Sequence, residues 1–180
     1  MDDFSEVPLL VAVANFTGYT AQTAGLADLD VSRVMAGYYD LADATISAAG
    51  GRVVKFIGDG VLAVFPSDGV DRGVLGLLEL KEAADRYMTD RGWKCALVVK
   101  VHYGTVAEGH IGTGAGRRYD VLGKVVNSAF RLESGGGVTL SAEAFGRLGP
   151  GTQARFKTLA PPAIYVRQED PPRPPWAKRG

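Results

Sequence analysis

Two hydrophobic patterns alternate along the chain, one typical of strands and the other of helices. Residues 8–16 form a continuous apolar run of strand length, as expected of a strand that is buried on both faces. Residues 31–49 instead carry apolar side chains at helical spacing and end at Gly50 and Gly51, which predicts a helix that stops at glycine. The first two predicted elements are therefore a buried strand and a helix.

A β-hairpin is predicted next. Residues 53–57 and 61–65 are rich in β-forming side chains, and the intervening Gly58-Asp59-Gly60 is a tight-turn signal. Lys55 interrupts the first strand, where regular alternation places it on one face with the first and last residues of that run. A lysine in a strand usually marks an exposed face or a sheet edge.

The rest of the chain continues the alternation of strands and helices. The expected elements, in order, are a helix at about 70–91, strands at 94–103 and 105–111, a strand end at 120–122, a short helix at 124–133, and strands at 138–140, 155–159 and 164–166 with a helix at 142–148. Helices that return onto one sheet in this mixed order predict the α/β class, as an α+β sandwich. We expect one domain over residues 1–167.

Composition narrows the class of protein. The 180 residues are 46% apolar, enough for one domain with a substantial core, and 20 basic residues balance 20 acidic ones. With no net charge there is no bulk field to attract nucleic acid or an anionic membrane.

The single cysteine, Cys95, lies beside an apolar run, so we expect it to be buried and the compartment to be reducing. No apolar stretch reaches membrane-spanning length and Met1-Asp2-Asp3 is unlike a signal peptide, which together predict a cytoplasmic domain.

The last residues have a different character. Pro171-Pro172-Arg173-Pro174-Pro175 cannot join a sheet ladder and favours a polyproline II conformation. We interpret residues 168–180 as a loose tail or linker, with a ligand for a proline-binding module as the alternative.

Each candidate site also has an ordinary explanation when it is taken alone. Asp59 at a hairpin tip suits a Mg²⁺ ion, yet a glycine-flanked aspartate is commonly just a turn residue. The backbone N–H groups of residues 16–20 could cradle phosphates, although a glycine turn after a strand is common in α/β proteins. Asn127 and Arg131 are four residues apart and share a helix face, where they could bind one small target or simply face solvent.

Taken together, these segments resemble the class III adenylyl and guanylyl cyclase family from about Leu9 to Val166. The matching blocks are VANFTGYT at 13–20, KFIGDG at 55–60, VHYG at 101–104, YDVLGKVVN at 119–127 and RLES at 131–134. The resemblance implies the nucleotidyl cyclase or ferredoxin-like palm fold, with a central mixed sheet and flanking helices. The GGDEF string of diguanylate-forming relatives is absent from the sequence.

The resemblance also implies a head-to-tail dimer with two shared sites and two Mg²⁺ or Mn²⁺ ions in each. One chain supplies two metal-binding aspartates, of which the second matches Asp59 and the first falls at Asn15, a departure from the family pattern. The turn whose backbone amides hold the β- and γ-phosphates matches the residues Phe16, Thr17, Gly18, Tyr19 and Thr20.

The partner chain is implied to supply the remaining groups. Lys55 and Asp120 match the adenine-selective pattern, because a lysine can donate to adenine N1 and a carboxylate can accept from the 6-amino group, whereas guanine reverses both roles. Asn127 matches the residue that positions the ribose, and Arg131 the one that meets charge on the α-phosphate. Lys157 matches a family lysine that grips the triphosphate.

The implied reaction converts ATP to 3′,5′-cyclic AMP and pyrophosphate by attack of the ribose 3′-oxygen on the α-phosphorus, assisted by two metal ions. Asn15 removes a negative charge from the metal site, and Lys124 stands where the family usually has Asp or Asn. Three interpretations follow: a homodimeric adenylyl cyclase of weakened activity, a complementing subunit of a heterodimer, or a catalytically inactive nucleotide-binding module.

Overall fold

A computed structural model of the protein describes residues 4–134, 136–159 and 164–168. The strands are β1 Phe4–Thr17, β2 Arg52–Ile57, β3 Gly60–Pro66, β4 Ala96–Ile111, β5 Arg118–Leu122, β6 Val138–Ser141, β7 Phe156–Leu159 and β8 Ile164–Arg167. The helices are α1 Tyr19–Thr23, α2 Asp28–Ala48, α3 Val70–Thr89, α4 Lys124–Arg131, α5 Ala142–Phe145 and α6 Pro150–Gln153. The proline-rich tail beyond Gln168 lies outside the described residues.

The strands form one mixed sheet. Its order is β2-β3-β1-β4-β6-β8-β7, and β5 pairs separately with the later half of β4. The β4–β6 pairing is parallel, whereas the other pairings are antiparallel. A central mixed sheet with flanking helices confirms the predicted fold class.

Strand β1 is buried on both of its faces, as its continuous apolar run predicted. Leu10, Ala12 and Ala14 join a core formed with α2 and α3 on one face of the sheet. The alternate side chains of β1 join a second, smaller core on the other face, where α4 packs; these are Leu9, Val11 and Val13. The sheet thus separates two layers, and the candidate site residues are divided between them.

The prediction of two strands at 94–103 and 105–111 was wrong. A single 16-residue strand, β4, runs through Gly104 without a break. A Cβ added at Gly104 would lie 2.7 Å from a methyl carbon of Val125 in α4. Glycine is therefore present because the helix approaches the strand closely, and not because the chain turns there.

The placement of Lys55 on one face with Val53 was also wrong. In the β2–β3 ladder Val53 pairs with Ala63 and Lys55 pairs with Leu62, so that Val54 is an extra residue. Such a β-bulge reverses the alternation of side chains beyond it. Directly paired residues share a face, and Leu62 belongs to the core beneath α4, so Lys55 points to that side of the sheet.

The remaining differences are two short helices that were not predicted, α1 and α6, and several element ends. The helix expected at 124–133 ends at Arg131, and the one expected at 142–148 ends at Phe145. Cys95 is buried, as predicted, and this burial raises the pKa of its thiol to about 11, with the charges of Asp85 and Asp59 adding to the effect. Within the described part of the chain, no helix is long and apolar enough to cross a membrane.

Candidate functional site

The β2–β3 hairpin tip carries Asp59 and is held from one side by α2. Gly58 has a φ of 59°, a conformation that glycine adopts without strain. The hydroxyl of Tyr39 donates a hydrogen bond to the Gly58 carbonyl oxygen. The Tyr39 ring also stacks on Phe56 with centroids 4.2 Å apart, so the tip is fixed to the helix at two neighbouring points.

Asn15 and Asp59 lie close together at this tip, where the resemblance to the cyclase family placed both. Ala14 pairs with Val61, which places Asn15 and Gly60 next along the ladder. A Cβ added at Gly60 would be 3.9 Å from the Asn15 Cβ. The Phe16 backbone N–H donates to Asp59 Oδ2 at 2.8 Å, which joins the hairpin tip to the end of β1.

These residues could hold a metal ion. Asp59 accepts from the Phe16 amide through Oδ2, which leaves Oδ1 for a cation, and the exposed Asn15 side chain offers a neutral amide oxygen beside it. Carboxylate and amide oxygens suit Mg²⁺ and Mn²⁺ when substrate phosphates complete the coordination. Among residues 4–134, 136–159 and 164–168, no group of three or more His, Cys, Asp or Glu residues could hold a metal ion. Asp59 and Asn15 alone offer one carboxylate and one amide oxygen, which suits a divalent cation. The family pattern has two carboxylates at these positions, so this chain has one fewer.

The charge of Asp59 acts on three tyrosines of this region. Burial raises the pKa of Tyr38, Tyr19 and Tyr39, and in each case the negative charge of Asp59 raises it further. All three hydroxyls therefore remain protonated at neutral pH. They add no charge to compensate for the amide at Asn15.

The predicted phosphate turn joins the end of β1 to the start of α1. Phe16 and Thr17 are the last residues of the strand, and Tyr19 begins the helix. Gly18 between them has a φ of 79°, and a Cβ there would meet the Lys94 carbonyl oxygen at 3.1 Å. Any other residue would be strained at this position. The Phe16 N–H is engaged by Asp59, whereas Thr20 is exposed in the first turn of α1.

Lys55 and Asp120 form an ion pair that joins β2 to β5. Lys55 Nζ lies 2.6 Å from Asp120 Oδ2, and the Asp120 side chain is 4% exposed, against 35% for Lys55. Asp120 Oδ1 accepts a hydrogen bond from the Val121 N–H at 2.8 Å. Both carboxylate oxygens are therefore satisfied, as a buried charge requires.

Asn127 and Arg131 lie on α4, on the opposite face of the sheet from α2 and α3. Val126 and Ala129 bury the inner face of this helix, which leaves Asn127 and Arg131 exposed. Lys124 is also exposed, in the first turn. The sequence correctly predicted that the amide and the guanidinium group share one helix face.

Lys157 is exposed on β7, at the opposite edge of the sheet from β2. Its Nζ donates to the Gln168 carbonyl oxygen at 3.3 Å. The fold thus separates Lys157 from the hairpin tip within one chain.

Two residues beside the ion pair were missed by the sequence reasoning. The guanidinium carbon of Arg52 lies 3.8 Å from the centre of the Tyr119 ring. Tyr119 belongs to a recognised block, but Arg52 precedes Lys55 by three residues, a spacing that puts the two on opposite faces of a regular strand. Only the bulge brings them to the same face.

Comparisons of the sequence and the fold with known proteins all point to nucleotide cyclases. The family model of the adenylate and guanylate cyclase catalytic domain matches residues 2–165. An adenylate cyclase of Anabaena cylindrica is 24% identical over 133 residues, which cover 69% of this chain and 26% of that protein. The chain thus spans about a quarter of the length of this curated relative.

Solved cyclase structures share the fold. A bacterial light-regulated adenylyl cyclase superposes with a TM-score of 0.82 at 22% identity, covering 93% of this chain and 53% of that one. The guanylyl cyclase Cya2 superposes with a TM-score of 0.74 at 22% identity, covering 89% and 91%. Adenylyl and guanylyl cyclases are both among these structures. The similarity therefore establishes the fold but does not show whether the substrate is ATP or GTP. The family match over nearly the whole chain shows that the protein belongs to the adenylate and guanylate cyclase catalytic domain family.

Proposed function

We propose that this chain converts ATP to 3′,5′-cyclic AMP and pyrophosphate in a dimer with shared sites. The Lys55–Asp120 pair, joined at 2.6 Å with Asp120 buried, is the observation that carries the proposal. It presents a donor and an acceptor side by side. Adenine offers the complementary pair, N1 as acceptor and the 6-amino group as donor, whereas guanine has the two roles exchanged, N1–H as donor and O6 as acceptor, and would present each protein group with the wrong partner in the same pose.

The distribution of the other residues supports a shared site. Asp59 is held by α2 at the hairpin tip, whereas Asn127 and Arg131 project from α4 on the other face of the sheet. Lys157 lies at the far edge of the sheet. Residues 1–167 would form this catalytic domain, acting in the cytoplasm, and a second copy of the chain would bring the separated groups to one nucleotide.

Each group has a role that follows from its chemistry. Asp59 and Asn15 would hold the Mg²⁺ or Mn²⁺ that domains of this family generally use, and the ion would supply positive charge at the ribose 3′-oxygen and the leaving pyrophosphate. The amides of the turn containing Thr17, Gly18, Tyr19 and Thr20 would donate to the β- and γ-phosphates, and Lys157 would grip the triphosphate.

The partner chain would orient the reacting groups. Its Asn127 amide would hold the ribose so that the 3′-oxygen is in line with the α-phosphorus. Its Arg131 guanidinium would stabilise the charge that builds on the α-phosphate. No side chain of this set has to act as a general base.

Asn15 favours a second candidate, a complementing subunit or an inactive nucleotide-binding module. Replacement of a carboxylate by an amide removes a full negative charge where divalent cations must bind. The loss of one such interaction costs about 10² to 10⁴ in rate. A heterodimer partner with intact aspartates would restore one complete site.

The test is an assay of the purified chain with ATP or GTP, in Mg²⁺ and in Mn²⁺, over a range of protein concentrations. The proposal predicts cyclic AMP as the main product and a specific activity that falls on dilution through the dimer dissociation constant. Cyclic GMP as the main product would contradict the base assignment. ATP binding without product, together with activity after addition of a second cyclase from the same cell, would establish the second candidate.

A further inference from the structure

A second contact joins β2 to β5 beside the Lys55–Asp120 ion pair. The guanidinium carbon of Arg52 lies 3.8 Å from the centre of the Tyr119 ring, a cation–π geometry. Tyr119 directly precedes Asp120, and Arg52 lies on the same strand as Lys55. The two strands therefore contact each other through two adjacent pairs of side chains.

The bulge at Val54 makes this double contact feasible. Arg52 pairs with Val64 and Lys55 with Leu62, and both partners belong to the core beneath α4. Without the extra residue, side chains three positions apart would point to opposite faces. The irregularity in β2 thus directs both cations toward β5.

Tyr119 is held from its other side as well. Its hydroxyl donates a hydrogen bond to Glu108 Oε2 at 2.7 Å, and its ring meets His110 edge-on with centroids 5.9 Å apart. Burial, followed by the hydrogen bond to Glu108, raises the pKa of the Tyr119 phenol, so the ring stays neutral. Arg52 therefore stacks on a ring that β4 already fixes.

We propose that Arg52 and Tyr119 are positioning residues that set the spacing of Lys55 and Asp120 and thereby sharpen the choice between adenine and guanine. This inference rests on the proposed function. β2 is an edge strand that pairs with β3 on one side, so its distance from β5 depends on side-chain contacts across the sheet face. A bound adenine would take up hydrogen bonds of both Lys55 and Asp120, whereas the Arg52–Tyr119 contact uses neither group and persists.

The experiment measures the preference for ATP over GTP, as the ratio of their kcat/KM values or of their inhibition constants against a fluorescent ATP analogue. Arg52→Ala and Tyr119→Leu should each lower this preference by about two- to fivefold, the worth of an exposed cation–π contact. The loss should appear in KM, with kcat for ATP little changed. Arg52→Lys and Tyr119→Phe, which keep the cation and the ring, should retain most of the preference.

Arg91→Ala is the matched control, because the Arg91 guanidinium carbon also lies over a tyrosine ring, 3.5 Å from the centre of Tyr87, at the end of α3. It should leave the ATP preference unchanged. An equal loss in Arg52→Ala and Arg91→Ala would overturn the inference, since the effect would then be one of general stability.

A thermal denaturation cycle tests the positioning without any nucleotide. If Arg52 positions Lys55, the shifts in Tm caused by Arg52→Ala and Lys55→Met should be non-additive in the double variant. Additive shifts would overturn the inference.

An unmodified chain that prefers ATP, together with an Arg52→Ala variant of equal preference, would overturn the inference alone. Equal handling of ATP and GTP by the unmodified chain would overturn the proposed base reading itself.

Discussion

The hairpin tip and the β2–β5 contact differ in how their charged groups are paired within one chain. At the tip, Asp59 stands beside an exposed, uncharged Asn15, so these two positions carry one negative charge between them. At the β2–β5 contact, Asp120 is buried, paired with Lys55 and bonded to the backbone through its other oxygen. The charges at the β2–β5 contact are thus paired within one chain, whereas the tip presents one carboxylate and a neutral amide. Under the proposed function, the first region would read the base and the second would hold the metal. Selectivity and turnover should therefore respond separately to substitution.

Under the proposed function, the largest effect should come from removing Asp59 and Arg131, the charges assigned to the metal and to the α-phosphate. Asp59→Ala and Arg131→Ala should each lower the rate of cyclic AMP formation by about 10³, because each removes an interaction that stabilises the transition state. If the sites are shared, a mixture of the two inactive proteins should regain part of the activity, since one of the two hybrid sites is intact. The absence of rescue in a mixture shown by mass spectrometry to exchange subunits would contradict shared sites.

The Lys55–Asp120 ion pair should contribute more to the free energy of unfolding than Asn15 at the hairpin tip does. Lys55→Met leaves the Asp120 carboxylate buried without its cation, which should lower the free energy of unfolding by about 1 to 3 kcal/mol. Adding Asp120→Asn should restore part of the loss, because it removes the uncompensated charge. Urea denaturation measures both, and Asn15→Ala, at an exposed position, is the control with an expected change within about 0.5 kcal/mol. Equal stability of Lys55→Met and the unmodified chain would show that the pair contributes nothing to the fold.

Exchange of Lys55 and Asp120, the groups proposed to read the base, should change selectivity more than rate. Lys55→Glu with Asp120→Cys replaces the donor by an acceptor and removes the carboxylate, so the preference for ATP over GTP should fall by at least about tenfold. Competition by ATP and GTP against a fluorescent nucleotide measures this even at low turnover. A double variant that binds as tightly as before and keeps its preference would assign base recognition to other residues.

The sequence predicted the fold correctly for elements whose hydrophobic pattern directly reflects their burial. The continuous apolar run of β1 indicated a strand covered on both faces, and the structure gives it two cores. The glycine at position 104 was misread as a strand break, because a glycine that accommodates a helix and a glycine that turns the chain look alike in one sequence. What distinguishes them is the approach of Val125, a contact between residues distant along the chain.

For the site, the resemblance indicated two pairs that the structure brings together within one chain, Asn15 with Asp59 and Lys55 with Asp120, but not how these pairs are supported. The closeness of Asn15 and Asp59 was implied by the family resemblance, which assigns a strand end and a hairpin tip to one site. The bulge at Val54 left no mark in the alternation of side chains, so the face of Lys55 was assigned on a regular strand. Tyr39, which bonds to the hairpin tip from α2, is one of several tyrosines and became identifiable only through its contact with Gly58.

The most direct test of this account is the Asn15→Asp substitution, measured as the rate of ATP cyclisation in Mg²⁺. The amide and the carboxylate are nearly the same size, so packing at this exposed position should not change. A restored charge beside Asp59 should raise the rate at least about tenfold, which is about 1.4 kcal/mol of transition-state stabilisation. Mn²⁺ and Mg²⁺ with ATP should also raise the Tm of the variant more than that of the unmodified chain. A folded, dimeric Asn15→Asp protein with an unchanged rate and an unchanged Tm response would contradict the claim that the hairpin tip lacks only one charge.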